Sequence, residues 1–281
     1  MKILNIMIFG VLITGVTLGF VTTPALAVDI AVNKLSFTPK LDGNGAEWKS
    51  VKATKVRVSG KLAVKSVSVK VGVRGAKVYF LAMWADKTMD DQHKPFVWNS
   101  AEGKYKAGPQ REDRLALQFA MSDSYSSSWD SGKPFRADMW HWKAGRSNPI
   151  GIAHDKMTII TTSPQKKAFK LKAKNGTYVY IRRPSDSGSK IYSSKRYRAK
   201  KQDTMPKYIL NPKATGSITD VKAKGVWKNG MWTLELMRKL NTSNPDDAVF
   251  VVGKSIKGAL AVFDHSGDNN HNRSGTIQYK F

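Results

Sequence analysis

Apolar residues in this chain recur at every second position over short runs, and turn residues separate the runs. Val67, Val69, Val71 and Val73 alternate with small and charged residues, and Val78, Phe80, Ala82 and Trp84 do the same beyond Arg74-Gly75-Ala76. That pattern predicts a hairpin with one buried and one wetter face. Leu115, Leu117, Phe119 and Met121 keep the same period. Trp140 and Trp142 follow it too, which puts Met139, His141 and Lys143 together on the opposite face of their strand.

Later runs extend the picture. Ala31–Trp48 opens with a short strand and turns at Asp42-Gly43-Asn44-Gly45; Met157–Thr162, Thr177–Ile181, Ala259–Phe263 and Thr276–Phe281 read as further strands. Val226–Leu240 reads as a hairpin turning at Lys228-Asn229-Gly230, because Asn-Gly accepts the positive φ of a two-residue turn. No long stretch holds a helical period and no internal repeat is visible. The expected fold is therefore all-β: an antiparallel β-sandwich with long end loops, one domain over residues 28–281. Two segments stand apart. Asp86–Gly108, with His93, Trp98 and Tyr105, reads as a loop closing one end of the sheets, and residues near 164–207 read as a basic loop insertion, with disorder as the alternative.

Composition changes this picture in three ways. Met1–Ala27 has Lys2, an apolar run from Ile3 to Val21 and the small-x-small pattern Ala25-Leu26-Ala27, so a cleaved signal peptide and an exported, periplasmic protein are expected. An uncleaved anchor is the competing reading, against which Thr14, Thr17, Thr22, Thr23 and Pro24 weigh. The chain has no cysteine, which excludes disulfides, thiolate metal ligands, iron–sulfur clusters and covalently attached haem c. Its formal net charge of +26 calls for acidic partners. The leader takes the protein away from nucleic acid, leaving an acidic protein, anionic lipid head groups at a membrane periphery, or an acidic wall polymer. No HExxH, GxSxG, P-loop or dinucleotide fingerprint is present, so no enzymatic activity is expected.

The stretches DRLALQF and ADMWHWKAGRSNPIGIAHDK, with LDGNGAEW, MPKYI, WTLELMRKL and LAVFDHSGDNNHNRSGTIQYKF, carry a resemblance. Together they resemble the haem-binding domain of ethylbenzene dehydrogenase-type gamma subunits and related cytochrome c-552-like proteins. The resemblance spans nearly the whole exported chain. It implies a b-type haem held between the sheets and their end loops, electron transfer beside a molybdenum and iron–sulfur oxidoreductase, and a Met and a Lys as axial ligands. This chain departs from that pattern. No CxxCH follows DRLALQF, the methionines nearest the expected position are Met121 and Met139, and Arg273 stands where the pattern has Lys. A guanidinium stays protonated and cannot ligate iron.

Met121, Met139, His141, Lys143, His271 and Arg273 are the candidate cofactor-binding residues, with Met139 and His271 as candidate metal ligands, since thioether and imidazole both suit haem iron. Alternate residues of a strand lie about 7 Å apart, so only one of Met139, His141 and Lys143 can serve a given iron. The tryptophans are expected in the core. Two other roles fit the same sequence: a haem-less assembly subunit, and a carbohydrate- or wall-polymer-binding module, which LDGNGAEW also resembles. Asp264, Asp268, Asn269 and Asn270 offer oxygen ligands but lack the spacing of a calcium loop.

Overall fold

A computed structural model describes residues 27–281; the expected leader, Ala27 apart, lies outside the described residues. The strands in chain order begin β1 (Val28–Lys34), β2 (Thr54–Arg57), β3 (Ser66–Arg74), β4 (Lys77–Ala85), β5 (Phe96–Asn99) and β6 (Lys104–Ala107). There follow β7 (Arg114–Ala120), β8 (Phe135–Lys143), β9 (His154–Thr161), β10 (Phe169–Lys172), β11 (Tyr178–Arg182), β12 (Tyr192–Ser194) and β13 (Thr204–Met205). The last are β14 (Tyr208–Leu210), β15 (Lys222–Lys228), β16 (Met231–Lys239), β17 (Ser255–Phe263), β18 (Asn272–Arg273) and β19 (Ile277–Lys280). Among the described residues, no helix is long and apolar enough to cross a membrane.

Two layers form a β-sandwich. One runs β10-β11-β9-β8-β7-β17-β19-β1 and the other β1-β3-β4-β16-β15. β1 belongs to both: Val28–Ala31 pairs in parallel with Ile277–Lys280, and Val32–Lys34 pairs in parallel with Val71–Val73. Its neighbours in each layer otherwise pair antiparallel. The β15–β16 turn has Asn229 at φ 51° and Gly230 at φ 76°, as the Asn-Gly pair demands.

Side chains of one parity from each layer fill the space between. Phe80 of β4 meets Phe119 and Trp140 of the facing layer at ring-centroid distances of 5.5 and 5.3 Å, and Trp142 stands edge-on to Trp84 and Trp232 at 6.0 and 5.0 Å. All are buried. Such aromatic pairs each add about 0.5–1.5 kcal/mol beyond area burial.

Two of the recognisable sequence stretches meet outside this core. Glu235 of β16 accepts hydrogen bonds from the backbone N–H groups of Asp42 (3.0 Å) and Gly43 (2.9 Å) and from Trp48 Nε1 (2.9 Å). Gly43, at φ 76°, would place a Cβ 2.5 Å from Val226 Cγ2, so only glycine fits this turn. LDGNGAEW and WTLELMRKL are thus two halves of one contact.

The two irregular segments are more ordered than their sequences suggest. Residues 164–207 contain β10 to β13, of which β10 and β11 extend the first layer and β13 pairs with β5. Tyr105 Oη accepts from the N–H groups of Lys201 and Gln202 at 3.0 and 3.2 Å, tying the basic segment to the 86–108 segment. The strands escaped the hydrophobic pattern because β10, Phe-Lys-Leu-Lys, shows little burial on either face.

One end of the core is ionic. Arg238 of β16 donates through Nη1 to Asp138 Oδ2 and Asp247 Oδ1, both at 2.6 Å, with Asp155 Oδ2 at 3.8 Å, and all four side chains are buried. Asp186 lies beside this cluster, 5 % exposed, with no donor on either oxygen. Burial and the charges of Asp138, Asp246 and Asp247 push its carboxyl up to about 8. Because the folded chain holds this proton more tightly than the unfolded one, stability falls as pH rises from about 4 to about 8. Asp186→Asn is expected to remove that decline and to exceed the wild type at pH 8 by at least ~1 kcal/mol, or about 2–4 °C in Tm. Thermal melts of both proteins from pH 5 to 9 test it; parallel curves would refute it.

Candidate functional site

Four of the six sequence candidates line one cavity of about 290 Å³ on the outer face of the first layer: Met139, His141, His271 and Arg273. The strand register explains why a trough exists there. Ala261 pairs with Ala116, which pairs with His141, and Ala259 pairs with Gln118, which pairs with Met139. Three alanines therefore leave room beside an imidazole and a thioether. Trp129, Phe169 and Leu171 form one wall, and the closing segment before β18 supplies Asp268, Asn269 and His271.

The expected position between the sheets is corrected by this geometry. Phe80, Phe119, Trp140 and Tyr279 occupy that space with ring contacts of 4.8–5.7 Å. Trp140 and Trp142 take the core side of β8, so Met139 and His141 must face outward.

His141 is 6 % exposed and its Nε2 is buried with no hydrogen-bond partner. Burial, reinforced by the charges of Lys143, Arg114 and Lys156, holds its imidazole well below the ordinary histidine range, so the ring is neutral. His271 Nδ1 lies 3.2 Å from the carbonyl oxygen of Asp268. A carbonyl only accepts, so Nδ1 carries the proton and the Nε2 lone pair is free. Phe263 stands between these histidines, its ring centroid 5.7 Å from His141 and 4.9 Å from His271, with the Arg114 guanidinium 4.1 Å from its centroid. Met139 is 3 % exposed and its sulfur accepts from Thr158 Oγ1 at 4.0 Å.

Lys143 and Met121 lie elsewhere. Lys143 Nζ is 2.6 Å from His154 Nδ1 and 3.3 Å from Tyr192 Oη, committed to a network away from the cavity; burial lowers its pKa well below the ordinary lysine value. Met121 continues the Phe119 face and packs against the main core, at a different surface depression. Sequence reading passed over Arg183, Phe263 and the alanine trough. The alternation of small residues at 259 and 261 was a usable signal for the trough; Arg183 carried none.

The oxygen-rich loop is divided between two neighbourhoods. Asp268 pairs with Arg114, and Asp264 lies with Asp86 and Asp113, their carboxylate oxygens within 4.8 Å of one another. Burial raises Asp86 to about 6 and Asp113 to about 7. Asp113 accepts from Trp232 Nε1 and from the backbone of Asp90 and His265, which joins the DRLALQF strand to the closing segment.

Residues 34–275 match a family model described as ethylbenzene dehydrogenase, a match consistent with a subunit of an oxidoreductase complex. A search of curated proteins returns no match. Among solved structures, a carbohydrate binding module of family 9 from Caldicellulosiruptor kristjanssonii in complex with glucose is similar at a TM-score of 0.41 and 12% identity, covering 90% of this chain and 95% of that one. A protein from Bacteroides uniformis, described by name as carbohydrate-binding, is similar at 0.42 and 11% identity, covering 91% and 100%.

Proposed function

Since the chain belongs to the ethylbenzene dehydrogenase family, we propose that it is an exported, non-catalytic subunit that holds a b-type haem without covalent attachment and serves electron transfer in or beside a molybdenum and iron–sulfur oxidoreductase. One observation carries this reading: a buried, neutral imidazole with an unpartnered Nε2 lines an apolar trough. An orphaned buried nitrogen is costly unless something occupies it.

The donor set suits haem iron. Either His141, from the sheet, or His271, from the closing segment, would provide a nitrogen, since the Phe263 ring stands between them, while Met139 supplies apolar contact. When bound, haem supplies the one-electron chemistry; the protein's share is ligation, burial and orientation. The enclosed volume is modest, so a macrocycle would keep one edge in solvent, where electrons can pass to a partner. Phe169 and Leu171 turn toward the trough while the alternating Lys170 and Lys172 stay exposed, which gives that edge a basic surround suited to an acidic partner protein.

Protein purified from haem-supplied cells is expected to show a Soret band, with sharp α and β bands on reduction. A colourless protein at full haem supply would defeat the electron-transfer reading and leave an assembly role within the complex.

A further inference from the structure

Three acids from distant parts of the chain meet at the strand ends: Asp86 follows β4, Asp113 precedes β7 and Asp264 follows β17. The β17–β7 register pairs Phe263 with Arg114, so the next residues along, Asp264 and Asp113, come opposite one another. Like charges so placed repel. Asp86 joins them, with one carboxylate oxygen from each of the three within 4.8 Å of the others. Backbone bonds keep them from parting. The Asp86 N–H donates to the Gly230 carbonyl at 2.9 Å and the Asp113 N–H to that of Asp90 at 2.7 Å, while the N–H of His265, next to Asp264, donates to Asp113 Oδ1 at 3.1 Å.

Although the chain carries a net charge of +26, among the described residues no lysine or arginine forms an ion pair with any of these acids. Lys55, Lys65 and Lys87 line a cavity of about 660 Å³ together with Asp86 and Asp264, yet none pairs with them. His265 is spent on Asp90, its Nδ1 2.7 Å from Oδ1. Asp86 Oδ1 accepts from the Thr88 N–H at 3.2 Å, but Asp86 Oδ2, on a residue only 4 % exposed, is buried with no donor. Asp264, half-buried, makes no side-chain hydrogen bond among the described residues. A buried carboxylate oxygen left in this way is costly unless a cation completes it.

We propose that Asp86, Asp113 and Asp264 hold a calcium ion. The donors are all carboxylate oxygens, which suit a hard cation, and no thiolate or imidazole is present among them to favour a softer metal. Calcium–oxygen distances of about 2.3–2.6 Å let ligand oxygens lie up to about 5 Å apart, so three oxygens with the observed spread can share one ion. The remaining ligands are waters, which reach the site through the cavity that Asp86 and Asp264 line. Magnesium demands a stricter octahedron and gives up its water reluctantly, which favours calcium here. The ion ties together the ends of β4, β7 and β17. Because its ligands come from three segments, the spacing of Asp264 and Asp268 within one loop carries no sign of it.

The test titrates chelator-stripped protein with calcium chloride, followed by calorimetry and by thermal melts, with magnesium chloride as the comparison. One calcium per chain is expected to bind with a Kd below about 1 mM, and Tm should rise by about 5–10 °C at a hundredfold excess over that Kd. Asp264→Asn should weaken calcium binding at least tenfold while its metal-free Tm stays at or above that of the wild type, since the change relieves repulsion. A wild type that takes up no calcium at about 10 mM, or that prefers magnesium, would overturn the site. Calcium binding that survives unchanged in Asp264→Asn would overturn it too, by placing the ion elsewhere. The wild-type titration needs no variant to fold.

Discussion

Replacing Arg238 with methionine is expected to bring the protein close to unfolding at neutral pH. The side chain is fully buried and neutralises Asp138 and Asp247 directly and Asp155 at slightly longer range. Its guanidinium also sits 5.0 Å from the Trp140 ring centroid and 5.2 Å from that of Phe250. Methionine keeps the apolar bulk but leaves three carboxylates without a cation. Breaking one buried pair costs about 3–5 kcal/mol, against a net stability of about 5–15 kcal/mol for a typical domain. A fall of about 6–20 °C in Tm follows for a chain of this size. The deficit should shrink at pH 5. Burial raises Asp138 and, more strongly, Asp155, so both take up protons as the medium acidifies. Thermal melts at pH 5 and pH 7.5 decide it: a deficit as large at the lower pH would mean that the charges are not its cause.

His141→Ala is expected to cost little stability and most of the haem. The imidazole makes no hydrogen bond that the folded chain depends on, and its Nε2 is orphaned. The loss of a nitrogen ligand should abolish the sharp reduced α and β bands and weaken haem binding at least tenfold, while Tm moves by no more than about 1–4 °C. Met139→Leu is the contrasting variant. Met139 shares the strand face with His141 and its sulfur already accepts from Thr158, so the spectrum should survive its loss. The ligand assignment fails if His141→Ala keeps the wild-type spectrum, and it reverses if Met139→Leu is the variant that loses it.

Much of this was legible in the sequence because a strand has only two faces. Period-two alternation separated Trp140 and Trp142 from Met139 and His141, and the Asn229-Gly230 pair marked its turn. The same alternation also placed Met121 with the core. The interior face of β8 was legible too, from the bulk of Trp140 and Trp142, which meet Phe80 and Trp84 on a strand of the opposite layer; that the other face lines a cavity was not. Side chains that act through distant partners were equally hidden. Arg238 reads as a solvent residue in WTLELMRKL, yet Asp138, 100 residues away, holds it inside. Lys143 could be placed on the cavity face by parity, but its capture by His154 depends on the register of β8 with β9.

The strand that belongs to both layers also sets an order of events. The first half of β1 gains its partners only from β19, so the first layer lacks that border until residues 277–280 arrive, whereas Val32–Lys34 has β3 to pair with much earlier. At 5–20 residues per second, ribosomes need roughly 10–50 s to make the intervening stretch. Through that interval the nascent chain holds an unclosed sheet with an unpaired border, and the joining of such remote segments is slow in itself. A chain built this way stays threadable while it is being made and locks only once its late residues fold back on its early ones.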